Sequence, residues 1–532
     1  MGKDAANIAA DMRMFSTFAT RLPQFLRAPI TLDYARATVQ QRLRSRESSF
    51  LSSMRRGVFS RPESPYFKLL TMAGCEYGDL EGVVNHEGLE AALVGLAGSG
   101  VWLSFNEFKG NTPIVRGSWR LETNAGNFDN PFLNGQLEAR SGGGSHPGTR
   151  TAYDLQHIAM GRSLYKALTF DAYGAGQYPV IMWSPIAPGY GPLEVLAHVK
   201  AGKPPLRWFT PVSAKQGRAT LRDRFINASI PLACRLIRIS LPPVTHVAPD
   251  GVRQVSLAVE AARDTHRGCI VLTDPSSAVR VCADATSRGA DMEGVLFVVG
   301  GEPITTYKRA IIRQAGAVCS PLFVFIEGGY VGIACLEDDS GDEVHLLSDS
   351  IALVQHERYV EHARETVDAF LFTTLLPTAP KLLLNVESGD FGVVRKTDCD
   401  CYFGRMGFNT GISQIRSFDK LTSAGMNVTA SYFLRLVESV LPSTFGGTLL
   451  DYQFVEEETG DGIPHITVLV APEVGDIDER LLIEAVLCEL RADGKRGGFP
   501  GEVWGQSDTL RVRRERPSIT SRGKLLPLQV RR

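Results

Sequence analysis

Between residues 253 and 330, apolar runs of strand length alternate with helical stretches, and this alternation limits the fold more than any other feature. Helix 253–264 leads to the run Cys269–Thr273, helix 276–287 to the run 294–299, and helix 304–315 to the run 321–326. Such alternation predicts βαβ units and a parallel sheet. Parallel strands are covered on both faces and read as continuous apolar runs, as Gly294-Val-Leu-Phe-Val-Val does. Two of these runs end in a Gly-flanked carboxylate, Glu302 in Gly300-Gly301-Glu302-Pro303 and Glu327 in Glu327-Gly328-Gly329. Ligands of open α/β sheets bind at the carboxyl ends of strands, so two acids there suggest a nucleotide or metal–phosphate site. The same residues also read as two βα turns that need glycine for the backbone alone.

At 532 residues the chain is too long for one core and is expected to form two to four domains. The net charge of −1 gives no global signal for nucleic acid or an anionic membrane. No apolar run reaches the roughly 18 residues of a membrane span. The N-terminus carries Asp4 and no apolar h-region, so it does not read as a secretory signal. Ala6 stands where a myristoylation signal has Ser or Thr. Nine cysteines in so long a chain make no disulfide scaffold, so a reduced, cytoplasmic protein is expected.

The chain is expected to divide into a helical extension over 1–65, a large domain over 66–415 and a small α+β domain over 416–532. In the extension, Phe15, Phe18, Leu22, Phe25 and Leu26 have helical spacing, interrupted by Pro23 and Pro29; two or three helices packing on the main body are expected. Residues 76–140 mix short apolar runs with turns. Residues 151–170 read as helix, 177–184 as a strand and 343–395 as mostly β. In the last part, helix 429–440 precedes apolar runs at 447–454 and 463–471 and helix 478–492.

Three motifs carry chemistry. Arg140-Ser-Gly-Gly-Gly-Ser-His-Pro-Gly-Thr149 is a Gly-rich polar loop. Its backbone N–H groups could converge on phosphate oxygens, but no Lys closes it as in a P-loop, and it also reads as a plain surface loop. Cys399-Asp-Cys401, with Cys335 and His345 upstream, offers the thiolate and imidazole donors of a tetrahedral Zn²⁺ site; alternatively these are unrelated cysteines and a surface histidine. Ser521-Arg-Gly-Lys524 lies in a basic tail. Such a tail is a solvated face or an anion-binding arm, and a lysine on a loop can reach a remote site as a point cation.

Taken in order, these features resemble the adenylate-forming (acyl/aryl-CoA synthetase) superfamily, in its phenylacetate–CoA ligase-like branch, over most of 65–532. The resemblance implies an α/β fold: a large adenylate-forming domain with parallel sheets and a β-rich subdomain, plus a small mobile α+β C-terminal domain. It matches the family's phosphate loop to Ser141, Gly142, Gly143, Gly144, Ser145 and on to Thr149. The adenine-side motif falls on Gly300, Gly301, Glu302 and Pro303, and the magnesium-holding acid on Glu327. The ribose-binding aspartate falls on Asp390, the hinge motif on Arg416 and Asp419, and the catalytic lysine on Lys524. Cys399-Asp-Cys-Tyr-Phe-Gly-Arg405 matches a motif whose bearers can carry a zinc held by an upstream Cys and His, here Cys335 and His345. The chain departs from the pattern at the Gly-Gly-Gly-Ser-His loop, at Ile326 in place of Thr, at Phe418 in place of a hinge acid and at Thr520 in place of Arg.

The implied reaction is attack of a carboxylate on the α-phosphate of ATP, giving an acyl-adenylate, with Mg²⁺ positioned by Glu327 and charge stabilised by Lys524. Asp390 and Arg416 would contact the ribose. Rotation of the small domain about Asp419 would then permit acyl transfer. Three readings follow: transfer to the CoA thiol, transfer to a carrier-protein thiol or an amine, and a nucleotide-binding homologue without catalysis. The resemblance gives no nucleic-acid or membrane partner, and leaves the acid and the oligomeric state, a homodimer included, open.

Overall fold

The computed structural model describes residues 16–531 except 134–136, 141–149, 188, 212–220, 249–250, 339–341, 361–364, 418–429, 459–463, 493–509 and 520–524. One 12-stranded sheet organises the large domain. In spatial order it runs Ile351–Val360, Glu365–Thr374, Val386–Lys396, Thr410–Ser417, Val344–Leu346, Gly329–Ala334, Val318–Phe325, Val295–Gly300, Cys269–Thr273, Val180–Trp183, Arg207–Thr210 and Val244–His246. Neighbours from Val244–His246 as far as Val318–Phe325 are parallel. Beyond that strand every pair is antiparallel.

The parallel half follows from the apolar runs. Successive side chains of a strand face opposite sides, and here both sides are buried. Ile181, Trp183, Val271, Phe297 and Val299 pack with helices Val252–His266, Pro275–Ser287 and Thr306–Gln314. Met182, Ile270, Leu272, Leu296 and Val298 enter a second core with helix Gly191–Lys200. Phe297 is fully buried, and Phe297→Ala is expected to cost about 3–5 kcal/mol. The strand expected over 177–184 is Val180–Trp183, and its Trp183 is a core residue whose Nε1 donates to the Val247 carbonyl at 3.2 Å.

Three local expectations change. Residues 76–140 hold helices Tyr77–Glu87, Leu89–Gly98 and Phe105–Lys109 before a short hairpin at Ile114–Leu121. Glycines at 78, 82, 88, 95 and 98 obscure that helical pattern, while capping boxes at Glu76/Asp79 and Ser104/Glu107 start two of the helices. Pro23 does not interrupt its helix, which spans the described residues 16–27. There Phe18, Leu22 and Leu26 are buried, and that burial outweighs the roughly 3 kcal/mol that a helical proline costs. Residues 151–153, at the start of the stretch expected as helix, belong instead to strand Arg150–Tyr153, antiparallel to Leu137–Arg140, so the Gly-rich segment joins two paired strands.

The N-terminal helices are built into the large domain. Ala35 and Val39 pack in one core with Cys335, Cys401 and Phe403, and Phe50, Leu51, Met54 and Val58 pack under the antiparallel half of the sheet. The small domain has a four-stranded sheet in the order Leu510–Arg514, Pro464–Val470, Tyr452–Glu458, Leu528–Arg531. Its core joins Phe433, Leu436 and Val437 to Leu482 and Val486 of helix Glu479–Ala492. The helix expected at 429–440 widens into a π-turn at Leu436–Val440. Leu449 leaves the small domain's core and packs with the helices of the parallel half, so the two domains share buried contacts.

Candidate functional site

Strands Val295–Gly300 and Val318–Phe325 are parallel neighbours in which Leu322 pairs with Gly300, so the two Gly-flanked acids stand at adjacent carboxyl ends. In each pair the second glycine holds a positive φ, 86° at Gly301 and 83° at Gly329. Both glycines are therefore required by the backbone, as the plainer of the two sequence readings held. Only the first turn leads into a helix. The second is a β-hairpin in which Phe325 pairs with Gly329, which corrects the expectation of two βα turns.

Glu327 is buried and its carboxylate receives the ammonium of Lys109, which is equally buried. Lys109 ends helix Phe105–Lys109, and its Nζ lies 5.2 Å and 5.5 Å from the ring centroids of Phe105 and Phe108. The rings strip water from the ammonium, which strengthens its attraction to the acid. The backbone beside Glu327 is held too, because the hydroxyl of the fully buried Tyr153 donates to the Ile326 carbonyl. Tyr153 lies at the end of the strand that leaves the Gly-rich segment, so this bond ties that hairpin to the acid. Burial, with Glu327 nearby, pushes the Tyr153 phenol up to about 12 despite Arg162, so it remains a donor at neutral pH. Arg162 stacks 5.5 Å from the Tyr153 ring and is itself anchored to the buried Glu194 at 2.5 Å.

Glu302 takes part in a different arrangement. Its Oε2 accepts from Ser276 N at 3.2 Å and Ser276 Oγ at 2.6 Å, at the start of helix Pro275–Ser287. Lys308 Nζ stands 3.6 Å from Oε2, 3.4 Å from the Pro303 carbonyl and 3.5 Å from Glu438 of the small domain. Asp274 caps the same helix by accepting from Ser277 N at 2.8 Å. Burial first and the charge of Glu302 second push the Asp274 carboxyl up to about 6.

Asp390 is half-buried on strand Val386–Lys396, accepting from Ser388 Oγ at 3.0 Å. In the ladder Asp390 pairs with Ser417, and Phe391 with Arg416. Because successive residues alternate faces, the Cβ atoms of Asp390 and Arg416 point to opposite sides of this two-stranded ribbon. Arg416 lies within the field of Asp342 and Glu438, toward the domain boundary. Ser141–Thr149, Asp419 and Lys524 lie outside the described residues, although Ile519 and Leu525 form a β-bridge on either side of the segment that carries Lys524.

The Cys/His set is brought together. Ligand atoms of Cys335, His345, Cys399 and Cys401 all lie within 4.8 Å of one another. Cys335 Sγ is 3.5 Å from Cys399 Sγ, and Cys401 Sγ is 3.1 Å from His345 Nε2. His345 Nδ1 is 2.8 Å from the Phe408 carbonyl, which fixes the tautomer that leaves Nε2 free to ligate. Burial raises the thiols of Cys335 and Cys399. Burial acts likewise on Cys401, but its contact with His345 and hydrogen bonds at the backbone of Gly404 and Leu336 outweigh it and bring that thiol down to about 6. Three sulfurs and one imidazole nitrogen in this space fit a tetrahedral Zn²⁺.

Sequence reasoning missed Lys109, Lys308 and Glu438. The capping box that positions Lys109 was legible, but its partner lies 218 residues away.

No family model and no curated protein sequence matches the chain. Among solved structures it is similar to a 2-hydroxyisobutyryl-CoA ligase in the postadenylation state, at 13% identity and a TM-score of 0.46 over 96% of this chain and 92% of that one. It is also similar to ATP-bound MatB from Rhodopseudomonas palustris, at 11% identity and 0.41 over 82% and 71%. A third is McyG A-PCP complexed with phenylalanyl-adenylate, at 11% identity and 0.42 over 84% and 63%. Likeness at these values assigns no role to any residue.

Proposed function

We propose that the chain is an adenylate-forming enzyme that activates a carboxylic acid with ATP and passes the acyl group to a thiol, that of CoA in the first reading. The observation that carries this reading is the pair of buried acids at adjacent carboxyl ends of parallel strands, one in Gly-Gly-Glu-Pro and one at the head of a hairpin, with the small domain docked beside them. The order of the sequence motifs supports it.

In this reading the turn Gly300–Pro303 faces the adenine, and Asp390 accepts hydrogen bonds from the ribose. The ladder faces of Asp390 and Arg416 favour Asp390 alone on the sugar, with Arg416 acting at the domain boundary. Glu327 is the residue that would hold Mg²⁺. A single carboxylate suits this ion, which takes its remaining ligands from phosphates and water, and the ion would screen the triphosphate when bound. Lys109 supplies the counter-charge at that point and fixes the direction of the Glu327 carboxylate. Tyr153 fixes the backbone beside it, while Ser141–Thr149 would cradle the phosphates. Lys524 would stabilise charge between carboxylate and α-phosphate. The residues Cys335, His345, Cys399 and Cys401 would hold Zn²⁺ as a cross-link between strands Gly329–Ala334 and Val344–Leu346 and the segment that leads into helix Tyr402–Arg405. Transfer to a carrier-protein thiol or an amine remains the second reading.

Trapping with hydroxylamine tests the proposal. The full chain with ATP, Mg²⁺ and its acid should yield the hydroxamate, and Lys524→Ala should abolish it without loss of fold. Full activity in that variant contradicts the role of Lys524. Adding CoA, then amines, to the trapped system separates the acceptors.

A further inference from the structure

Lys308 touches both domains. Its ammonium lies 3.6 Å from Glu302 and 3.4 Å from the Pro303 carbonyl, both in the turn that follows strand Val295–Gly300. It also lies 3.5 Å from Glu438 in the π-turn Leu436–Val440. The three side chains are almost fully buried, at 5%, 3% and 4% exposure for Lys308, Glu302 and Glu438. Thr305 caps the helix that carries Lys308, with its hydroxyl accepting from Lys308 N at 3.3 Å, so the lysine backbone is fixed to the same turn.

Two carboxylates meeting one ammonium in a buried space are held by it and repel each other without it. The charges around them do not replace it. On the large-domain side Asp274 adds acid and Arg280 adds a guanidinium beside Asp274 and Glu302. Among the described residues, Arg416 of strand Thr410–Ser417 lies within the field of Glu438. Glu302 Oε1 has no hydrogen-bond partner although it is buried, so the carboxylate depends on Oε2, which Lys308 and Ser276 share.

We propose that Lys308 is a positioning residue that couples the Gly300–Pro303 turn to the placement of the small domain. The turn and the π-turn are then ordered together, and a change at either end is felt at the other through one ammonium. The coupling stands on this geometry; its meaning for adenylation rests on the proposed nucleotide role of the turn.

Hydrogen exchange on the full chain reads the coupling without any activity assay. Glu438→Gln removes one leg and leaves Lys308 with Glu302. The proposal expects faster exchange both at 430–445 and at 300–308, by about fivefold or more. Faster exchange at 430–445 alone overturns it. Lys308→Glu should loosen both segments further, and Lys308→Glu with Glu438→Lys should restore at least half of the lost protection by reversing the pair. A double variant no better protected than Lys308→Glu overturns the proposal, as does an unchanged exchange pattern in all three. Hydroxamate formation, assayed in parallel, reports on the adenylation reading separately.

Discussion

Glu327 and Glu302 stand at the ends of neighbouring strands, both buried and both beside a lysine, yet their surroundings differ in balance. Among the described residues Glu327 is met by one ammonium, that of Lys109, backed by two aromatic rings, and its backbone is pinned by Tyr153. Its charge is met within the large domain. Glu302 shares Lys308 with a second acid from the small domain and sits beside a third, Asp274, whose carboxyl is pushed up to about 6. One environment pairs a carboxylate with a single ammonium and fixes its direction. The other is crowded with acid and depends on a contact that a domain movement would break. The same motif of a Gly pair beside an acid thus serves charge presentation at one strand end and attachment between domains at the other.

The comparison breaks most sharply in catalysis. Glu327→Gln should lower the rate of acyl-adenylate formation by about 10²–10³-fold, a loss typical of removing one group that organises charge in the transition state. Glu302→Gln keeps the Ser276 contacts and should lose less than about tenfold. Steady-state rates for the two variants decide this, and equal losses would erase the distinction.

Next in size is Lys109→Met. Removing one partner of a buried pair leaves an uncompensated charge and costs about 3–5 kcal/mol, so chemical denaturation without magnesium should show a loss of that order. Added Mg²⁺ should recover part of it if Glu327 can hold that ion. A loss without recovery would leave Lys109 as a structural partner only. The Cys/His site has a separate test. The full chain purified without affinity metals should carry about one zinc, and Cys401→Ser should carry less than about half an equivalent and unfold at a lower temperature. Equal metal content in both would refute it.

The smallest effect concerns pH at Glu302. Asp274 binds its proton more tightly in the folded chain than in the unfolded one. Its contribution is therefore present at low pH and is lost as pH rises through about 6. Asp274→Asn keeps the helix cap and removes this loss. The stability of the variant relative to the parent should rise by on the order of 1 kcal/mol between about pH 4 and pH 7. A flat difference would mean that Asp274 is ionised in the fold.

The parallel half of the sheet was legible because its strands announce themselves: Val295–Gly300 and Cys269–Thr273 are unbroken apolar runs closed by turns. The Cys/His set was legible from residue type, and the fold brings together all four residues proposed from sequence. The helices at 77–109 were hidden by glycines, and the strand at Arg150–Tyr153 by the helical spacing around it. Long-range contacts left no local mark. Lys308 read as an ordinary helix lysine and Lys109 lay in a stretch read as short apolar runs and turns, and only the fold sets them against Glu302 and Glu438 and against Glu327. Arg416 was expected on the ribose with Asp390, but ladder register, which a sequence does not display, turns its Cβ to the other face.

The central claim, that these two strand ends form one wall of an adenylating site, is tested most directly by ATP–pyrophosphate exchange. The full chain would be assayed with Mg²⁺ and a panel of aryl, fatty and amino acids. Exchange that requires both the metal and one class of acid is the predicted result. Binding of ATP with no exchange for any acid would contradict it and leave a nucleotide-binding protein without this chemistry.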